Sequence, residues 1–182
     1  MAPRTLTVFP VSEETKEVAW VRVDEVDSLG LHPGFAEQWT ALREVLVPLT
    51  IIVDAANVMG SRPDGWWRDR AGAAQRLIVE LSGLASKGVT SLPESVGTPA
   101  LERWFPQFIV VLEGAAKAAD VGGPGLRLTV VAAAGSGDDE IAALAAEQAG
   151  QRLVVTADRE LRARCEAVGA SVVGPRWLLD LL

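Results

Sequence analysis

Leu49-Thr50-Ile51-Ile52-Val53-Asp54-Ala55-Ala56-Asn57-Val58 is the stretch on which the reading of this chain turns. A short apolar run ends in a carboxylate, and a carboxamide follows three residues later. The pattern returns three times: Phe108-Ile109-Val110-Val111-Leu112 closes on Glu113, the run from Leu128 to Ala134 precedes Asp138, and Leu153-Val154-Val155-Thr156 leads to Asp158. Apolar runs of this length without clean alternation belong to strands covered on both faces, as in a parallel sheet packed between helices. A carboxylate just past the end of such a strand lies in the crevice where open α/β sheets hold their ligands. Four of them converging there repel one another unless a cation is present. The acids therefore point to a divalent metal, Mg2+ or Mn2+, which oxygen-rich clusters suit and which serves phosphoryl chemistry.

Working outward from these runs, strands are expected at Thr50–Asp54, Gln107–Glu113, Arg127–Ala133, Arg152–Thr156 and Ser171–Val173. Helices are expected at Arg68–Lys87, Asp138–Ala149 and Arg159–Val168, with a last helical turn opened by Pro175. A loop rich in Gly, Pro and Asp joins the first strand to its helix. Residues 88–106 carry Pro93, Gly97, Pro99 and Pro106 and read as an irregular excursion with a short helical piece around Leu101. Alternating strands and helices give a doubly wound, mainly parallel α/β domain over residues 50–182.

The first 46 residues read differently. Thr5 to Phe9 and Val18 to Val23 predict two short strands, and Pro33 to about Val45 predicts a helix, a β-β-α appendage too small to bury a core alone. Its orphaned strands need a surface to cover, from a second copy of the chain or from another partner.

With 182 residues, 49% hydrophobic and 23% charged, the composition is that of a globular protein of one full domain plus an appendage. Cys165 is the single cysteine, which excludes an intrachain disulfide and a cysteine-based zinc site. Together with the lack of a signal-like N-terminus or a membrane-length apolar run, this predicts a soluble, cytoplasmic protein. The net charge of −7 argues against coating nucleic acid through a broad basic surface, but leaves room for local basic groups. Arg62, Arg68, Arg70 and Arg76 follow the first strand, and Arg159, Arg162 and Arg164 follow the last acid; each serves equally well as part of a solvated helix face.

Each candidate has a structural alternative. Asn57 can orient Asp54 or simply stabilise the turn that leaves the strand, with Asp54 as a cap. Asp138 can serve the site or cap the following helix, and Asp139 competes with it as a ligand; Ile141 three residues on, facing the core, favours Asp138. Ser136 and Thr156 offer hydroxyls to a phosphate or to the local backbone. Trp66-Trp67, flanked by Arg68 and Arg70, offers a stacking surface for an unpaired base, or one ring packs as a hydrophobic staple.

Ile52-Val53-Asp54-Ala55-Ala56-Asn57-Val58, Val110-Val111-Leu112-Glu113-Gly114, Gly137-Asp138-Asp139-Glu140-Ile141 and Val155-Thr156-Ala157-Asp158, in that order, resemble the motifs of PIN-like nucleases, in particular the NYN branch. The resemblance covers roughly residues 50–175. It implies a Rossmann-like three-layer fold and metal-dependent hydrolysis of RNA phosphodiesters. Asp54, Asp138 and Asp158 match metal-binding carboxylates, and Glu113 stands where the branch closes its second strand with an acid. From the chemistry of the residues themselves, the candidate substrate contacts are Asn57, Arg62, Trp66, Arg68, Ser136, Thr156 and Arg159. The only histidine, His32, lies outside this region, so the implied chemistry uses Mg2+ or Mn2+ in place of imidazole.

In the first segment, Glu17 to Val26, Leu31-His32-Pro33-Gly34-Phe35 and Trp39 resemble the C-terminal tail of a Nudix hydrolase, without the Nudix box. Three functions follow from these residues: an RNA-cleaving enzyme, a non-catalytic module that binds nucleotide, RNA or protein, and part of a Nudix-type nucleoside triphosphate pyrophosphohydrolase. Single-stranded RNA is the expected partner of the first.

Overall fold

Side chains alternate between the two faces of a strand, so a strand covered on both faces must be apolar at odd and even positions alike. The first strand, β1 (Leu49–Asp54), meets this requirement: Ile51 and Val53 enter one core, and Ile52 enters the other. In the computed structural model, which describes residue 19 and residues 21–96, 102–120, 122 and 127–182, β1 is the centre of a five-stranded sheet. Its partners are β2 (Gln107–Leu112), β3 (Leu128–Ala132), β4 (Gln151–Val155) and β5 (Ser171–Val173), in the order β3-β2-β1-β4-β5. Every pairing is parallel. The sheet is thus the middle layer of a three-layer α/β fold.

One face is covered chiefly by α3 (Arg70–Lys87), whose Ala74, Leu77, Leu81 and Ala85 pack on Phe108, Val110 and Val155. Two short helices complete that face, α2 (Ala55–Gly60) and α6 (Pro175–Leu179), through Val58, Met59 and Leu178. The opposite face receives α4 (Gly137–Glu147) and α5 (Arg159–Ala167), with Ile141, Ala145, Leu161 and Cys165 against Ile52, Val111 and Val154. The predicted doubly wound sheet is therefore present, with strand limits shifted by a residue at most.

Differences lie in the connections. The segment after β1, expected as a loop, begins with α2, because Asp54 caps it and Ala55 to Met59 carry an apolar face to the core. Expected helical structure around Leu101 falls outside the described residues; earlier in the same excursion a 3-10 turn forms at Glu94–Val96.

The chain divides into two compact units, 1–46 and 47–182. In the first, the strand expected at Thr5 to Phe9 lies outside the described residues. Of the second expected strand, Ala19, Val21 and Arg22 belong to no regular element, and Val23 opens a 3-10 helix, Val23–Ser28. Val23 carries three acids within the five positions after it, a polar pattern that suits a solvated turn better than a strand. The helix α1 (Pro33–Val45) forms as expected, with Pro33 at its start and the His32 imidazole accepting the Gly34 N–H. Arg43 on α1 binds Asp27 at 2.6 Å, and Phe35 and Trp39 stack one turn apart. Among the described residues no helix is long and apolar enough to cross a membrane.

At the start of β4 the register with β1 depends on Gly150, which has φ +82° and a position where a Cβ would overlap the Pro48 carbonyl oxygen. Gly150→Ala is expected to destabilise the protein by more than about 1 kcal/mol. Gly83→Ala, in the interior of α3 with open space around the added carbon, is expected to stabilise it by ~0.5–1 kcal/mol. Paired thermal denaturation of the two variants checks both signs.

Candidate active site

Asp54 ends the central strand and is only 5% exposed, so its carboxylate needs hydrogen-bond donors to replace water. Three are supplied. The Asn57 backbone N–H reaches Oδ1 at 3.0 Å, the Asn57 Nδ2 donates to Oδ2 at 2.7 Å, and the Thr156 hydroxyl donates to the same oxygen at 2.8 Å. Asn57 therefore does both things open to it: it starts α2 and it orients Asp54. Its own Oδ1 accepts the Ala157 N–H at 3.3 Å. Thr156 is fully buried, and its oxygen accepts the Asp158 N–H at 3.1 Å while its proton goes to Asp54. These bonds stitch the end of β1 to the end of β4. That is the switch point of the sheet, where the chain has left one side of β1 and resumes on the other.

The other acids are held by backbone amides. Asp158 caps α5, accepting the Leu161 N–H at 2.8 Å. Glu113, just beyond β2, reaches across to the first residue of α4 and accepts the Gly137 N–H at 3.0 Å. Only glycine permits this approach, because a Cβ at 137 would stand 2.7 Å from the Glu113 Oε2. Asp138 follows Gly137, half-buried. Burial pushes its carboxyl above the usual carboxylate range, and the charges of Asp54, Asp158 and Glu113 push the same way, partly offset by Arg164. Acids from four different strand ends thus act on one locus.

Asp139 takes another course. One residue further round the helix, about 100° away, its exposed carboxylate pairs with Arg164 on α5 at 2.7 Å, so it joins two helices. The cap position of α4 is Ser136, not Asp138, although the exposed Ser136 hydroxyl makes no capping bond.

Among the basic candidates, Arg62, just past α2, pairs with Glu80 on α3. Arg76 pairs with Asp64, and Arg162 with Glu166. Arg159, exposed at the start of α5 beside Asp158, and Arg68 are in no ion pair among the described residues. Trp66 packs half-buried against the core, so of the two neighbouring tryptophans the exposed ring is that of Trp67. Sequence reasoning passed over Lys117, whose ammonium donates to the Ala133 carbonyl at 3.0 Å between the ends of β2 and β3. Its only signal was a spacing of four from Glu113. Cys165 is buried in the core beneath α5, where burial raises its thiol, and its role is packing.

Among the described residues no three acid, histidine or cysteine side chains stand close enough together to chelate a metal as placed. The acids retain open acceptor sites nonetheless. Within the described residues, the second oxygens of Asp158 and Glu113 and both oxygens of Asp138 accept no hydrogen bond.

No protein-family model matches the chain, and no curated protein matches it. Among solved structures, a tryptophan-to-leucine variant of Rae1 (YacP) from Bacillus subtilis is similar, at 19% identity and a TM-score of 0.49, over 72% of this chain and 72% of that one.

Two predictions follow from the hydrogen bonds and charges of the site. Thr156→Val removes a buried hydroxyl that serves two partners and is expected to cost about 1–3 kcal/mol of stability, read by chemical denaturation. Asp138 keeps its proton to higher pH in the folded protein than in the unfolded chain. Over the window just above its ordinary 3.8 the folded state therefore binds more protons, and this contribution to stability is lost as pH rises. Asp138→Asn, which carries no charge, is expected to raise the melting temperature at neutral pH in EDTA. That gain should fade as pH falls toward 3.8.

Proposed function

We propose that the unit spanning residues 47–182 is a metal-dependent phosphodiesterase of the PIN-like, NYN type that cleaves RNA. The observation that carries this reading is geometric: Asp54, Glu113 and Asp158 stand at or just past the ends of β1, β2 and β4 in one parallel sheet, and Asp138 lies in the first turn of α4 after β3. Like charges drawn from four strand ends to one locus are unfavourable by themselves, and a hard divalent cation is the partner that offsets them. The open positions are carboxylate oxygens, the donors such an ion takes, and binding it would draw these side chains closer together than they stand. Asp54, Asp138 and Asp158, with Glu113 beside them, would hold Mg2+ or Mn2+, which would supply charge stabilisation at the phosphoryl oxygens.

The chain's own groups prepare that site. Thr156 and Asn57 keep Asp54 in one orientation, while the Leu161 and Gly137 amides do the same for Asp158 and Glu113. A carboxylate already oriented needs no reorganisation when charge develops beside it. Arg159 and Lys117 border the acids and suit a phosphate chain approaching the edge of the sheet. RNA rather than DNA is inferred from the motif resemblance alone.

A second reading, a non-catalytic binding module, draws on Asp54 itself. Its Oδ2 already accepts two hydrogen bonds, which occupy both lone pairs of that oxygen. The pyrophosphohydrolase reading has no such support, because the N-terminal segment lacks the Nudix box.

Labelled single-stranded RNA incubated with Mn2+ or Mg2+ separates the two. The nuclease reading expects cleavage that EDTA abolishes and that falls about a hundred-fold or more in Asp54→Asn and Asp158→Asn, each shown to be folded. Absence of cleavage by the wild type, with no metal-induced rise in melting temperature, would select the binding module.

A further inference from the structure

Between α2 and α3 the chain makes one 3-10 turn, Trp66–Arg68, entered through Gly65 at φ +77°. Asp69 ends the turn and caps α3 by accepting the Gly72 N–H at 2.9 Å. Since α3 returns the chain from the carboxyl end of β1 to the start of the parallel strand β2, its first residues lie at the edge of the sheet that carries the acids.

The two tryptophans of the turn have opposite environments. Trp66 is seated on the core beneath α3, and the Arg70 guanidinium lies 5.3 Å from its ring. Trp67 meets Trp66 edge-on, with ring centroids 6.4 Å apart and planes at 88°, and is 57% exposed. The Arg68 guanidinium lies 6.0 Å from the Trp67 ring. Neither Arg68 nor Arg70 is in an ion pair among the described residues. The two acids nearest in sequence are engaged elsewhere, Asp64 with the Trp66 N–H and Arg76, and Asp69 with Gly72. A chain of net charge −7 therefore presents, on one turn, an open indole steadied by a second indole and flanked by two uncompensated cations.

We infer that Trp67 is a stacking platform for an unpaired base of a single-stranded nucleic acid, with Arg68 and Arg70 neutralising the phosphates on either side. This inference rests on the nuclease reading, and it adds that the substrate strand is anchored on the α3 side of the acidic edge. A flat π face with cations beside it matches a base together with its phosphates. An acidic peptide would engage the arginines without needing the ring.

The test is equilibrium binding of a short, unstructured, fluorescently labelled oligoribonucleotide in EDTA at low salt, where cleavage is silent. Trp67→Ala is expected to weaken binding about ten-fold, and Trp67→Phe to retain most of it. Replacing Arg68 and Arg70 together by alanine is expected to weaken binding and to flatten its salt dependence. Matched thermal melts show whether each variant is folded, and because Trp67 and Arg68 are exposed their replacement leaves the core intact.

Wild-type affinity in Trp67→Ala overturns the platform while leaving the nuclease reading standing. Binding lost in Trp67→Ala, with RNA cleavage unchanged in Asp54→Asn, keeps the platform and removes the nuclease reading. An acidic peptide that competes equally well against wild type and Trp67→Ala overturns the platform in favour of a protein-binding surface. So does a wild type that binds no single-stranded RNA.

Discussion

The hydroxyl of Thr156 and the carboxylate of Asp54 form the contact on which the rest of this site depends. β1 has a strand on each side and a helix layer on each face, so its last residue is sealed from water. A carboxylate placed there is tolerable only when donors surround it, and Thr156 and Asn57 provide them from the two segments that leave β4 and β1. The same threonine oxygen receives the Asp158 N–H, so one buried hydroxyl sets the relation of two acids 104 residues apart in sequence numbering, 158 less 54.

Around that contact the fold separates stability from chemistry. The apolar strand interiors and the helices α3, α4 and α5 supply the buried surface, while the carboxyl ends of the strands carry charge that adds nothing to packing. Asp138 makes this visible, because the folded state raises its carboxyl by crowding it with burial and with three other acids. Crowding of this kind is costly for stability and useful to a site that must attract a cation. Gly137 and Glu113 show the same economy of space: a missing side chain lets a carboxylate from one strand end settle on the amide that opens a helix after the next strand.

The basic groups divide by a simple rule. Those with a free acid within reach pair with it, as Arg62 just past α2 does with Glu80 and Arg164 on α5 with Asp139. Arg68, which closes the 3-10 turn, and Arg159, which opens α5, have their flanking acids already committed to backbone caps, Asp69 to α3 and Asp158 to α5. Capping thus leaves cations uncompensated along the edge of the sheet, in a protein whose overall charge is negative.

By itself the sequence determined the parallel sheet and the four acidic strand ends, because continuous apolar runs and the carboxylates that stop them are local patterns with a short period. It could not show α2, whose start depends on Asp54 turning back to the Asn57 amide rather than on any helical repeat longer than one turn. It favoured Asp138 over Asp139 only through the core-facing Ile141, and it could not choose between Trp66 and Trp67, because only rotation about the turn sends one ring to the core and the other to solvent. Which carboxylate meets which donor was decided by tertiary structure alone, since Glu113 and Gly137, or Asp54 and Thr156, become neighbours only when separate strands end side by side.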